Sequence, residues 1–283
     1  MKKVVPFLFL IITACVEKPT EKNIAENKFV ADSTKHRLLK IIEGGWVCKN
    51  YIDTFNRYHS PMLANGDLPV LQMAFDTSKM NGDTMYNGFH RNIYNATERF
   101  DIVFKTENGK VKMIPRMYPP ANVKLQELSY GFVEGDTVLD LEIGGEHYQF
   151  IKVFHRFPEY GEVELSALDI FVDGKLDKYY WMRKKLGAMF MEDGTLSDYD
   201  HFTRYSVKTR SDYPLSEPDE ITLYNDTIAV TYAFEWKRDE LMSGTRDEIS
   251  FYKLKKSADG NEMERGSLID FFIGERRPKL GNW

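Results

Sequence analysis

Short alternating runs of apolar and polar residues dominate this chain. Phe100, Ile102 and Phe104 alternate with Asp101, Val103 and Lys105, and Leu139, Leu141 and Ile143 alternate with Asp140 and Glu142. The longest such face is Ile228, Val230, Tyr232, Phe234 and Trp236, opposed by Ala229, Thr231, Ala233 and Glu235. A period of two puts each set on one side of a half-buried strand. Turn dipeptides separate the runs: Asn65-Gly66, Asn81-Gly82, Asn108-Gly109, Glu134-Gly135, Gly144-Gly145, Asp173-Gly174, Asp193-Gly194 and Asp259-Gly260. Asn-Gly and Asp-Gly tolerate the positive φ of tight hairpins. The pattern predicts antiparallel hairpins without helical crossovers.

Helix is sparse. Leu38, Leu39, Ile41 and Ile42 lie at helical spacing in Thr34–Ile42, before a stop at Gly44-Gly45. Ser267 would cap a short helix through Phe272 that ends at Gly274, although the same residues suit an edge strand. Tyr179–Met191 mixes aromatics, methionines and basic residues around Gly187 and fits neither period. The fold class is all-β: an antiparallel meander, closed into a barrel or strongly curved, with a few short helices. Gly82-Asp83-Thr84, Gly135-Asp136-Thr137 and Asn225-Asp226-Thr227 each end a turn and open a strand, but their irregular spacing excludes a solenoid or propeller.

The N-terminus follows a different pattern. Lys2 and Lys3 precede Val4–Ile12, an apolar stretch broken by Pro6. A membrane-spanning helix needs about 20 apolar residues, whereas this length suits the hydrophobic region of an export signal. Ile12-Thr13-Ala14-Cys15 follows and resembles the lipobox of bacterial, Bacteroidetes-type lipoproteins. The resemblance implies cleavage before Cys15 and lipid attachment to its thiol. Residues 1–14 are then the signal peptide, 15–33 a polar tether too poor in apolar residues to order itself, and 34–283 one β-rich body. Val16, in place of the aspartate that marks inner-membrane retention, favours the outer membrane of a Gram-negative envelope.

Charge narrows the partners. The chain carries 38 Lys and Arg against 43 Asp and Glu, and loss of Lys2 and Lys3 moves its net charge from −5 to −7. Nucleic acid is disfavoured, since phosphate recognition needs a basic stripe, and Arg183-Lys184-Lys185 reads as a solvated face. Membrane attachment falls to the lipid on Cys15.

The short helix, Gly44-Gly45-Trp46 and the string of hairpins resemble the opening of lipocalin-like barrels. Ser211-Asp212-Tyr213 loosely resembles that family's Thr-Asp-Tyr triplet. The resemblance implies that Gly44 and Trp46 are structural, with the indole closing one barrel end, and that the barrel encloses an apolar ligand cavity. The extra residues between about Tyr160 and Pro218 fall outside the family pattern. A β-sandwich without a cavity is the alternative.

No recognisable catalytic motif stands out: the sequence has no nucleophile elbow, P-loop or dinucleotide fingerprint. Cys48 lies two residues from Trp46 and reads as a buried, inert thiol. It has no partner for an intramolecular disulfide once Cys15 is lipidated. His147 and His155 would lie about 26 Å apart along one strand, and His36, His59, His90 and His201 have no ligand at zinc spacing. Asp193, Asp198 and Asp200 surround Gly194 without EF-hand order. No metal or cofactor is expected. Asp-Thr-apolar triplets at Thr84, Thr137 and Thr227, with Asp32-Ser33-Thr34, resemble the O-glycosylation acceptors of Bacteroidetes envelope proteins, although turn chemistry also explains them.

Two function classes remain. One is a non-enzymatic envelope lipoprotein that binds an apolar or amphipathic ligand, or a partner protein, through the Ile228, Val230, Tyr232, Phe234 and Trp236 face. The other is an envelope glycan hydrolase with a carboxylate pair drawn from Glu127, Glu134, Asp140, Glu142 and Glu235. Binding is favoured over catalysis.

Overall fold

The computed structural model describes residues 33–66, 68–91, 97–107, 110–118, 125–133, 135–154, 167–183, 186–191, 193–209, 218–239, 246–258 and 263–276. The lipobox, Cys15, most of the tether and Ser211-Asp212-Tyr213 lie outside them.

The chain folds as two successive antiparallel sheets, each opened by a helix. Helix α1 covers 33–42. It leads into β1 (Gly44–Cys48), helices α2 (Lys49–Tyr58) and α3 (Pro61–Asn65), then β2 (Gln72–Phe75), β3 (Met80–Asn81) and β4 (Thr84–Arg91). Strands β5 (Thr97–Glu107), β6 (Lys110–Met117), β7 (Leu125–Val133), β8 (Asp136–Ile143) and β9 (Glu146–Phe154) complete the first sheet. Its order is β2-β1-β9-β8-β7-β6-β5-β4-β3, and β2 also pairs with β4, so the sheet curls back on itself.

Helix α4 (Ala167–Leu176) starts the second half. It is followed by β10 (Tyr179–Arg183), β11 (Leu186–Phe190), β12 (Thr195–Tyr199), β13 (Phe202–Val207), β14 (Glu220–Tyr224), β15 (Ala229–Asp239), β16 (Arg246–Lys256) and β17 (Met263–Arg276). These eight strands close in sequence order, with β17 returning to β10. The extra residues after Tyr160 therefore include α4 and the opening strands of a second ring.

The sequence chemistry accounts for most of these elements. Gly144 and Gly145 both have positive φ and join Ile143 to its cross-strand partner Glu146 in a two-residue hairpin. Two of the turn dipeptides act otherwise. Asn65-Gly66 ends α3, and Asp173-Gly174 lies within α4. Leu168, Val172 and Leu176 recur there at helical spacing and are fully buried, so the apolar stripe overrides the glycine's low helix propensity. Helices α2 and α3 also break the expectation of direct hairpin links. Residues 267–272 belong to β17, where they pair with β16, and β17 goes on to pair with β10 from Ile273 to Arg276. Tyr179–Met191 contains the β10–β11 hairpin.

The two halves open in the same way. The indole N–H of Trp46 on β1 donates to the Ile42 carbonyl near the end of α1 at 2.7 Å, and that of Trp181 on β10 donates to the Leu176 carbonyl of α4 at 3.1 Å. Each bond satisfies a carbonyl that a helix end leaves without a partner. Glycine makes room beside each first strand: a Cβ on Gly45 would run into the Phe154 ring of β9, and one on Gly274 of β17 would lie 2.7 Å from the Trp181 ring.

Buried apolar side chains line both sheet interiors. In the first, Trp46, Phe75, Phe100, Ile102, Leu139 and Phe150 are all 0 % exposed. In the second, Trp181, Phe190, Leu223 and Phe251 are equally buried, and the Tyr199 and Phe251 rings pack against Phe272 at 5.2 and 5.4 Å. One contiguous hydrophobic cluster includes both interiors.

Reciprocal helix caps tie the halves together. Asp219, just before β14, accepts the Met62 N–H in the first turn of α3 at 2.9 Å, and Gln72 of β2 accepts the Leu168 N–H at the start of α4 at 2.9 Å. Lys175 of α4 donates to Asn56 of α2 at 2.8 Å. Between these bonds Phe55 meets Phe171 and Trp236 at 5.4 and 5.9 Å, edge to face.

Candidate functional site

A cleft of 380 Å³ lies where α2 and α3 meet the second ring, lined by residues that include Tyr58, His59, Ser60, Asp219, Glu235, Trp236, Lys237 and Arg265. Local folding rules place the first three. Helix α2 ends at His59, whose backbone takes the left-handed conformation (φ 54°) while its N–H closes on the Phe55 carbonyl at 2.7 Å. Ser60 and Pro61 then start α3: the Ser60 hydroxyl accepts the Leu63 N–H at 3.1 Å, and proline occupies a first-turn position that needs no N–H partner. The second ring supplies the opposite wall through β15 and β17.

His59 is 9 % exposed, and its ring lies 4.9 Å from Trp236. Burial lowers its pKa; Asp247 opposes that shift, while Arg238 and Lys175 add to it. Burial pushes Asp219 up to about 6, against the Met62 N–H and the Ser60 hydroxyl, which favour its charged form. Burial also pulls Glu235 upward, but hydrogen bonds from Lys237 and Arg265 outweigh it and leave this carboxylate below its ordinary value. Glu235 receives Lys237 at 2.9 Å, Arg265 at 3.0 Å and the Tyr252 hydroxyl at 3.2 Å.

His59, Ser60 and Asp219 share the cleft but do not make a nucleophilic relay. Asp219 accepts the Ser60 hydroxyl, whereas a triad places histidine between the serine and the acid. The carboxylates contribute fixed acceptors: Asp219 caps α3, and Glu235 is clamped by two cations and a phenol.

The residues proposed from sequence scatter. Phe234 and Trp236 of the long face are buried, Val230 and Tyr232 pack against the core, and Trp236 reaches the cleft. Ile228 departs from that face: it lies before β15, is 46 % exposed, and its N–H bonds to the Asn225 side chain within the turn. The alternation holds only where the strand exists. Trp46 is buried, with the Lys152 ammonium 4.7 Å from its ring centroid. Gly44 has φ 105° where β1 begins. Cys48 is buried as the residue preceding α2, and burial raises its pKa.

Of the candidate carboxylates among the described residues, only Glu235 lines the cleft. Asp140 and Glu142 lie on β8, Glu127 on β7, and Glu134 outside the described residues. Asp140 is paired with His147 at 2.6 Å, and Glu127 faces Lys112 at 3.8 Å. His155 lies outside the described residues. Among the described residues no group of three or more His, Cys, Asp or Glu is arranged to hold a metal ion. No described helix is long and apolar enough to cross a membrane.

Sequence reasoning missed Tyr58, Ser60, Asp219, Lys237 and Arg265. Ser60-Pro61 was the one local signal, since serine followed by proline marks a helix start. No protein-family model matches the chain, and no curated protein or solved structure matches it significantly.

Proposed function

We propose that this chain is an envelope lipoprotein, anchored through a lipid on Cys15, whose two-ring body binds a ligand in the inter-ring cleft without turning it over. The observation that carries the binding reading is the engagement of both cleft carboxylates. Asp219 holds the start of α3 and Glu235 is held by Lys237, Arg265 and Tyr252, so the cleft presents fixed acceptors and donors beside aromatic rings. Such a mixture suits recognition. The anchor rests on Ile12-Thr13-Ala14-Cys15 after a short apolar stretch, and an outer-membrane destination rests on Val16.

A glycan hydrolase is the second reading. It is favoured by one pairing: Asp219, with a pKa of about 6, shares a cleft with a charge-stabilised Glu235. Divergent carboxylates of this kind perform acid and base roles in glycosidases.

The anchor is tested by labelling cells with an alkyne fatty acid. Wild-type protein should take up label and Cys15→Ser should not; equal labelling would remove the anchor from the proposal. Binding and turnover are separated by incubating the Cys15→Ser chain with envelope glycans and phospholipids while measuring both complex formation and product. Product formation lost in Glu235→Gln would favour the hydrolase.

A further inference from the structure

We infer that the inter-ring cleft is a site for a neutral saccharide of one or two rings, with Tyr58 as the surface on which the sugar stacks. This rests on the binding reading above and gives it a ligand class.

The first step concerns shape and exposure. Tyr58 and Leu63 are 50 % and 49 % exposed on the wall contributed by α2 and α3. Arg57 lies 5.2 Å from the Tyr58 ring centroid. Trp236 and His59 are buried against each other in the same cleft. At 380 Å³ the space lies near the lower end of the range of small-ligand sites. It therefore suits one or two sugar rings and not a long chain. The apolar face of a pyranose carries C–H groups that suit the electron-rich face of an aromatic ring.

The second step concerns polarity. Fixed acceptors on Asp219 and Glu235 lie in the same cleft as donors on Lys237 and Arg265. A sugar hydroxyl both donates and accepts, so one ring meets both kinds of group at once. An alkyl chain would strip water from these four charged groups and return no hydrogen bonds, which is unfavourable.

The third step separates neutral from acidic sugars. Lys237 and Arg265 are balanced by Glu235, which both contact, and by Asp219. A sugar carboxylate would have to displace Glu235 from two cations while approaching Asp219. A neutral sugar keeps those ion pairs intact.

The test uses the full mature chain carrying Cys15→Ser. Neutral disaccharides of glucose, mannose and N-acetylglucosamine, together with a hexuronic acid disaccharide, are titrated by calorimetry and tryptophan fluorescence. Released reducing ends are assayed in parallel. At least one neutral sugar should bind with a Kd of about 1 mM or tighter, and Tyr58→Ala should weaken it about tenfold or more. The melting temperature of Tyr58→Ala should match the parent, because the ring is half exposed. Glu235→Gln should weaken binding as well.

Failure of every neutral sugar to bind, tighter binding of the hexuronate, or binding unchanged in both variants would overturn the saccharide assignment. If sugars fail but phosphatidylglycerol micelles bind by calorimetry and Glu235→Gln changes that binding, the saccharide assignment falls and the binding reading stands. Release of reducing ends that Glu235→Gln abolishes would overturn the binding reading and uphold the saccharide.

Discussion

Replacing Trp46 by phenylalanine tests whether the two rings stand or fall as one unit. Trp46 is 0 % exposed, its N–H bonds to the Ile42 carbonyl at 2.7 Å, and Lys152 lies over its ring at 4.7 Å. Phenylalanine retains an aromatic ring but loses the donor. A buried carbonyl left without its partner costs about 1–3 kcal/mol. The weaker cation–π contact adds about 0.5–1 kcal/mol, and the smaller ring leaves a void. The sum is roughly 2–4 kcal/mol against an ordinary folding margin of about 5–15 kcal/mol. Because one hydrophobic cluster joins the interiors, this loss should shift the unfolding of the second ring too. Urea denaturation followed by far-ultraviolet circular dichroism reports all strands, while tryptophan fluorescence, with Trp283 also replaced by phenylalanine in both proteins, reports the second ring and the cleft through Trp181 and Trp236. Both signals should move together to lower urea with one midpoint. A first transition that leaves the fluorescence of Trp181 and Trp236 unchanged would refute a shared core, and a midpoint equal to wild type would refute the Trp46 reasoning itself.

Asp219→Asn should change the pH profile of stability. A carboxyl whose folded pKa is raised binds its proton more tightly in the native state, so its contribution is fully present below the unfolded value of 3.8 and is lost as pH rises to about 6. Melting curves between pH 3.5 and 7 should show the variant gaining on wild type across that window; a parallel pair of profiles would contradict the assignment. Gly274→Ala should destabilise by about 1–3 kcal/mol through overpacking, because the new Cβ would lie 2.7 Å from a Trp181 ring fixed by its bond to Leu176; an unchanged denaturation midpoint would show that the ring can yield. In the Cys15→Ser background, Cys48 should resist a thiol reagent such as dithionitrobenzoate at pH 8 and react on addition of urea, since burial both covers the thiol and raises its pKa. Rapid native labelling would mean that β1 opens.

Strands were legible because a sheet face repeats every two residues, and Phe100–Lys105, Leu139–Ile143 and the run ending at Trp236 carry that period openly. Closure was not. It depends on β1 finding β9 and β10 finding β17, pairings between residues about a hundred positions apart that no local pattern specifies. The second ring was hidden for a related reason: its opening shares with the first only a helix followed by a tryptophan, Leu176 to Trp181 against Ile42 to Trp46, with different spacing and no matching glycine pair. Asp173-Gly174 misled because turn chemistry and helix periodicity compete at the same residues. Burial of Leu168, Val172 and Leu176 decided the competition.

The cleft was less legible still, because its walls come from distant parts of the chain: Met62 and Asp219, bonded in the structure, are 157 positions apart. Glu235 was visible as a strand carboxylate, yet its meaning depends on Arg265 from another strand and on Tyr252, which reaches it diagonally from β16. The same groups that face the cleft also fasten the rings, Asp219 by capping α3 and Trp236 by packing on Phe55 and His59. A ligand there would touch both halves at once. Ligand binding to the native state adds RT ln(1 + [L]/Kd) to its stability, and here that gain would act on the junction itself. Recognition and inter-ring cohesion are therefore one equilibrium in this fold, so a substitution such as Asp219→Asn that alters the junction should change ligand affinity and unfolding cooperativity together.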